Sequence, residues 1–229
     1  MNRLEPAPPK AQQVKHQIKG EHYYTDLSNE AFLARFAKPG CIGLTGGPTF
    51  IDKAISRAQK RLRGDHSHAT WAHAFVFQGT RWDQKHWVIE SDIEVHRKHI
   101  RMGVQENPID KYHDEKHYTA LAVLDFGLDA EQTRQVLATG LGFVAKRATY
   151  SLRELVGIYM ALKRPSKRDG KDNVLSRDRA LFCSAFVQTL FHPLGIVFTD
   201  GVSAKLTTPE DIALSLVPHV SYVLRRDIG

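Results

Sequence analysis

The stretch Thr70-Trp71-Ala72-His73-Ala74-Phe75-Val76-Phe77 organises the middle of this chain. Aromatic and aliphatic residues follow the histidine, which is typical of a strand buried in a sheet. Comparable segments predict further strands at 41–44, 87–91, 99–104, 118–125 and 219–224. Helix-start signals and helical apolar spacing lie before and after this β-rich middle. The pattern predicts an α+β fold in which a central antiparallel sheet is packed by helices.

The length of 229 residues suits one domain with a short extension. Residues 1–20 are rich in proline, glutamine and lysine and have no apolar periodicity, so we expect a flexible basic arm there. Residues 21–229 are expected to form a single domain.

Composition limits the classes of function. The formal charge of +7 favours anionic partners, but the basic residues are dispersed and no nucleic-acid motif is present, so we expect no nucleic-acid partner. No apolar run reaches about 18 residues, and the N-terminus lacks the apolar core of a secretory signal. We therefore expect a chain without a transmembrane segment that is cytoplasmic as synthesised.

Cys183 is the strongest candidate nucleophile. It lies in Leu181-Phe182-Cys183-Ser184-Ala185-Phe186-Val187, where a polar segment becomes an apolar helix. In the first helical turn, partial positive charge from unpaired N–H groups would favour a thiolate. The alternative is a buried cysteine that acts as a small hydrophobic residue. Cys41 lies on a predicted buried strand, and two cysteines are too few for a disulfide framework.

A base and an orienting group can be assigned from the strands. His73 begins the quoted apolar strand, and an imidazole there could take a thiol proton near neutral pH. Glu90 follows the apolar run Trp87-Val88-Ile89 near the end of the strand predicted at 87–91, and it could hold the other ring nitrogen if the two strands pair. The alternatives are a strand-end histidine bonded to a carbonyl and an exposed glutamate.

Histidines are also frequent around this stretch, which raises the question of zinc. His66, His68 and His73 lie within eight residues of one another. Their spacing matches no structural zinc motif, and Cys183 is distant in sequence. We expect solvent-facing loop histidines and no metal site.

The order of these motifs resembles the circularly permuted papain-fold cysteine hydrolases, the YiiX-like branch of the NlpC-type superfamily. In that branch the histidine strand precedes the cysteine helix, as it does here by 110 residues. Thr208-Pro209-Glu210-Asp211 is also similar to the Ser/Thr-Pro-x-Asp helix start that follows the cysteine helix. The resemblance covers residues 38–224, and it departs at Cys41, where many relatives carry an acidic residue.

The resemblance implies a permuted papain-like fold and acyl transfer without a cofactor. Cys183 would be the nucleophile, with its own backbone N–H helping to hold the oxyanion, His73 the base and Glu90 the orienter. Trp71 and Tyr150 are candidate walls of the substrate pocket, although aromatic residues more often serve packing. The basic loop at 164–178 is either a rim of the site or a solvated connection.

Three functions follow as alternatives. The first is a cysteine peptidase or amidase that cleaves an amide bond, above all in peptidoglycan stem peptides. Such an enzyme would need a specialised secretion system to reach the periplasm of a target cell, and an immunity protein would then be a partner. The second is a lipid or ester acyl hydrolase or acyltransferase, and the third is a non-catalytic binding module for an anionic partner.

Overall fold

The computed structural model describes residues 20–47, 70–96, 99–146, 179–201 and 207–226. These parts of the chain form one seven-stranded sheet with helices packed against it. The α+β architecture expected from the sequence is therefore present. Among the described helices, none has the length and apolarity needed to cross a bilayer.

The strands follow the apolar segments of the sequence. In chain order they are β1 Gly20–Tyr24, β2 Ile42–Gly46, β3 His73–Thr80, β4 His86–His96, β5 His99–Pro108, β6 Ala120–Asp125 and β7 Val220–Arg225. Their order across the sheet is β1-β7-β6-β2-β3-β4-β5. All described neighbours are antiparallel except β1 and β7, which run parallel. The sheet is thus largely antiparallel, as predicted.

Helices connect and cover these strands. The α-helices are α1 Asn29–Phe36, α2 Ala130–Ala145, α3 Arg179–Phe191 and α4 Pro209–Ala213, and 3-10 helices span Ile109–His113 and His192–Leu194. Ser28 caps α1, and Asp129 forms a capping box with Gln132 at the start of α2. These side chains accept hydrogen bonds from otherwise unpaired N–H groups, which explains why the helices begin there.

Two hydrophobic clusters cover the two faces of the sheet. On β3, alternation places Ala74 and Val76 in the cluster that contains residues of α3, whereas Phe75 and Phe77 join the cluster that contains residues of α1. This period of two fixes the strand register, because a slip by one residue would exchange the faces. His73 and Glu90 therefore hold defined positions along the sheet.

Gly43 allows an aromatic stack next to the candidate site. A Cβ atom at Gly43 would lie 2.2 Å from the Phe75 ring, so only glycine leaves that ring its place over β2. Phe75 stacks on Tyr112, with ring centroids 4.3 Å apart and an interplanar angle of 6°. Tyr112 is fully buried.

The structure differs from the sequence prediction in several elements. Strand β1 begins at Gly20, at the end of the predicted arm, and pairs with β7. Strand β4 continues to His96 beyond the predicted end at residue 91. The 3-10 helix Ile109–His113 was not predicted.

Candidate active site

His73 and Glu90 meet because β3 and β4 are paired. The pairing places Glu90 opposite Phe75, two residues along β3 from His73. His73 Nε2 lies 2.6 Å from Glu90 Oε2. Because Glu90 is ionised and can only accept, Nε2–H is the donor, and this fixes the orientation of the ring.

Glu90 is fully buried and accepts hydrogen bonds on both oxygens. Oε2 accepts from His73 and from the Tyr112 hydroxyl at 2.5 Å. Oε1 accepts from Asn107 Nδ2 at 2.7 Å and from Lys111 Nζ at 2.5 Å. Four donors replace the water that this carboxylate loses on burial, which makes the buried charge tolerable.

Opposing effects set the ionisation of this carboxylate. Burial alone would raise the pKa of Glu90, but the charge of Lys111 and the hydrogen bond and charge of His73 outweigh burial and hold the pKa well below its usual range. Lys111 responds in the opposite sense. Its burial is outweighed by the charges of Glu90 and Asp92, so the pKa of its ammonium is raised. Glu90 is therefore a permanent anion at neutral pH.

Cys183 also interacts with the His73 imidazole. Burial alone would lower the pKa of His73, but the charge of Cys183 and hydrogen bonds to Cys183 and Glu90 outweigh burial and raise that pKa well above its ordinary value. Because Nε2 is held by Glu90, Nδ1 is the nitrogen left for the thiol. The structure thus brings all three predicted residues together in the order Cys183, His73, Glu90.

The position of Cys183 along its helix differs from the sequence prediction. Helix α3 begins at Arg179, so Cys183 lies in its second turn rather than its first. Its backbone N–H therefore falls within the hydrogen-bonded part of the helix, beyond the N–H groups that a helix start leaves unpaired. The predicted oxyanion contact from this N–H stays a prediction. The helix dipole also weakens beyond the first turn.

Cys183 and His73 differ in their exposure to solvent. Cys183 is fully buried, whereas the His73 side chain is 17% exposed. The site therefore meets solvent at the imidazole.

The two predicted pocket walls have different outcomes. Trp71 is 4% exposed and belongs to the hydrophobic core that includes Cys183, so its indole packs the protein interior. A wall role for Trp71 stays a prediction. Tyr150 lies outside the described residues, as do His66, His68 and the loop at 164–178.

A metal site at this position is the main alternative to the triad. Ligand atoms of His73, Glu90 and Asp92 lie within 4.8 Å of one another. However, Lys111 Nζ already bridges Glu90 Oε1 at 2.5 Å and Asp92 Oδ2 at 3.1 Å. An ammonium group thus stands where a metal ion would balance these carboxylates, and Nε2–H of His73 points at Glu90. These residues do not fit a metal ion in this arrangement.

The residues that donate hydrogen bonds to Glu90 were not predicted from the sequence. Asn107 is the next-to-last residue of β5, and Lys111 and Tyr112 lie on the 3-10 helix that follows. The signal was the spacing of Ile109 and Tyr112, two apolar residues three positions apart after Pro108, which indicates one helical turn.

Known proteins do not assign this chain to a family. No family model matches the chain, and no curated protein matches it. Among solved structures, the chain is similar to the crystal structure of metalloprotein YiiX from Escherichia coli O157:H7, with 18% identity and a TM-score of 0.44 over 80% of this chain and 88% of that one. The permuted papain-like fold stays a prediction.

Proposed function

We propose that this protein is a cysteine hydrolase of the permuted papain type, in which Cys183, His73 and Glu90 act as nucleophile, base and orienter. One observation carries the proposal. The fully buried Glu90 carboxylate accepts hydrogen bonds from four donors, one of which is His73, and His73 also interacts with Cys183. A buried carboxylate that fixes an imidazole beside a thiol is the arrangement that nucleophilic acyl transfer requires.

The reaction has two halves. In the first, the Cys183 thiolate attacks the carbonyl carbon of an amide, and the C–N bond breaks as imidazolium His73 gives its proton to the leaving amine. A thioester on Cys183 results. In the second half, His73 takes a proton from water, the hydroxide oxygen bonds to the carbonyl carbon, and the C–S bond breaks. The carboxylic acid leaves, and the thiolate–imidazolium pair is restored.

We propose an amide bond of a peptidoglycan stem peptide as the substrate, with ester or lipid acyl groups as the alternative on the same machinery. The support is the net charge of +7, which suits an anionic wall polymer. A role as an antibacterial effector, delivered to a target cell and neutralised by an immunity protein, is part of the same proposal.

Mass analysis of digested substrates tests this function. Purified protein is incubated with peptidoglycan and, separately, with a lipid panel, and we expect new peptide fragments only with the former. Cys183→Ala and His73→Ala should each abolish product while circular dichroism shows an unchanged fold. Cys41→Ala is the matched control, since it removes the other buried thiol and should keep activity. Product formed by Cys183→Ala at the wild-type rate would refute the mechanism.

A further inference from the structure

Residues 207–213, called the brace here, contact both sides of the candidate site. The brace consists of Thr207, Thr208 and helix α4. Thr208 and Asp211 form a capping box: Asp211 Oδ2 accepts from Thr208 N at 2.9 Å, and Asp211 N donates to Thr208 Oγ1 at 3.1 Å. These reciprocal bonds make the short segment rigid.

One end of the brace holds the cysteine helix. Ser184 follows Cys183 directly in α3 and is fully buried. Its hydroxyl donates to the Thr207 carbonyl at 2.6 Å. Because Ser184 is the next residue after the nucleophile, this bond fixes the rotation and depth of α3 at Cys183.

The other end holds the start of the histidine strand. Glu210 is fully buried, and its Oε2 accepts from the backbone N–H groups of Thr70 at 3.2 Å and Trp71 at 3.4 Å. These residues lie two and three positions before His73. Strand β2 supports the same segment, since Ala72 N donates to Thr45 O at 2.8 Å.

The close approach at Gly46 shows how tightly this segment is held. A Cβ atom at Gly46 would lie 2.0 Å from the Thr70 carbonyl oxygen. The backbone before His73 is therefore clamped between β2 on one side and the Glu210 carboxylate on the other.

We propose that the brace positions the nucleophile relative to the base, and that Glu210 and Ser184 are its positioning residues. The inference rests on the proposed function, because it concerns the distance between Cys183 and His73. Only two residues lie between Thr207 and Glu210, so α3 and the start of β3 share one short rigid link. Catalytic groups must be held to within about 0.5 Å, and a link of this kind supplies that constraint.

The pH dependence of Cys183 alkylation tests the brace. Iodoacetamide labelling is measured at pH 6 and pH 9 by peptide mass analysis. The quantity compared is the rate at pH 6 divided by the rate at pH 9, because this ratio cancels any change in access to the buried thiol. A thiol paired with imidazolium reacts at both pH values, so we expect a wild-type ratio within about tenfold of unity. For an ordinary thiol, with pKa near 8.5, the rate at pH 6 is about two hundredfold lower than at pH 9.

Glu210→Ala should lower this ratio at least about tenfold, because both backbone N–H groups lose their acceptor. Glu210→Gln should restore most of it, since an amide oxygen accepts the same bonds. Ser184→Ala removes the hydrogen bond to the Thr207 carbonyl and should also lower the ratio. This variant tests the proposal even where Glu210→Ala does not fold.

Gln188→Ala is the matched control. Gln188 is also buried and also makes two backbone bonds, to Ile196 O at 2.9 Å and from Phe198 N at 3.0 Å, but it does not link α3 to β3. Its ratio should equal that of wild type. Wild-type ratios in folded Glu210→Ala and Ser184→Ala, or an equal loss in Gln188→Ala, would overturn the brace alone. A wild-type ratio no higher than that of His73→Ala would overturn the proposed function and the brace with it.

Discussion

Replacing Lys111 with methionine should destabilise the protein strongly, because it leaves the buried Glu90 carboxylate without its cation. Three donors, His73, Asn107 and Tyr112, would remain on Glu90. Breaking a buried ion pair from one side costs about 3–5 kcal/mol. The Lys111 side chain is 27% exposed, so water can enter its place and the lower end of that range applies.

A loss of about 3 kcal/mol corresponds to a fall in melting temperature of about 6–12 °C for a chain of this size. Thermal unfolding followed by circular dichroism at pH 7 measures it. Lys85→Met is the matched control, because the Lys85–Asp110 pair lies on the surface beside the same 3-10 helix, with side chains 51% and 48% exposed. Exposed pairs contribute little, so we expect no resolvable change there.

The double variant Lys111→Met with Glu90→Gln completes the thermodynamic cycle. A neutral amide at position 90 no longer needs the ammonium group, so the second substitution should recover about 2 kcal/mol of the loss. A fall of less than about 1 kcal/mol in the single variant, or additive effects in the double variant, would refute the reasoning.

Three further predictions concern the site and its support. Interactions with Cys183 and Glu90 raise the pKa of His73, so the stability that His73 contributes is full below about pH 6.5 and is lost as pH rises through the raised pKa. The melting temperatures of wild type and His73→Ala should therefore converge from pH 6 to pH 10, and a growing difference would contradict this. Gly43→Ala should destabilise by about 1–3 kcal/mol in urea unfolding, because the new methyl meets the Phe75 ring, and an unchanged midpoint would argue against that contact. Burial and nearby charge raise the pKa of Cys41 to about 12, so iodoacetamide at pH 6 should modify Cys183 before Cys41, and equal slow labelling would count against an activated thiol.

Apolar periodicity was sufficient to predict most of the sheet. Strand β3 was expected at 72–77 and spans His73–Thr80, and β7 was expected at 219–224 and spans Val220–Arg225. Strand β1 was missed because its five residues, Gly-Glu-His-Tyr-Tyr, are largely exposed and lack alternation. Its pairing with β7 joins segments about 200 residues apart, and no local signal specifies such a contact.

The sequence indicated candidate site residues, but it did not indicate which side chains surround them. His73 and Cys183 were identified from the strand and helix that carry them. That Glu90 is buried could not be inferred, because a buried carboxylate depends on donors that arrive from β5 and the following 3-10 helix. The position of Cys183 within α3 was misjudged because polar residues before it were taken to lie outside the helix.

The chain order of the site has a consequence for how it assembles during synthesis. His73 and Glu90 lie on adjacent strands joined by the turn at 81–85, and Lys111 follows soon after, so their contacts are local. Local contacts form early, and a chain leaving the ribosome folds from its N-terminal side. Cys183 is made about a hundred residues after His73. We therefore expect His73, Glu90 and Lys111 to be in contact before Cys183 is synthesised. The growing chain would then carry no reactive thiol at this site until most of the domain has been made.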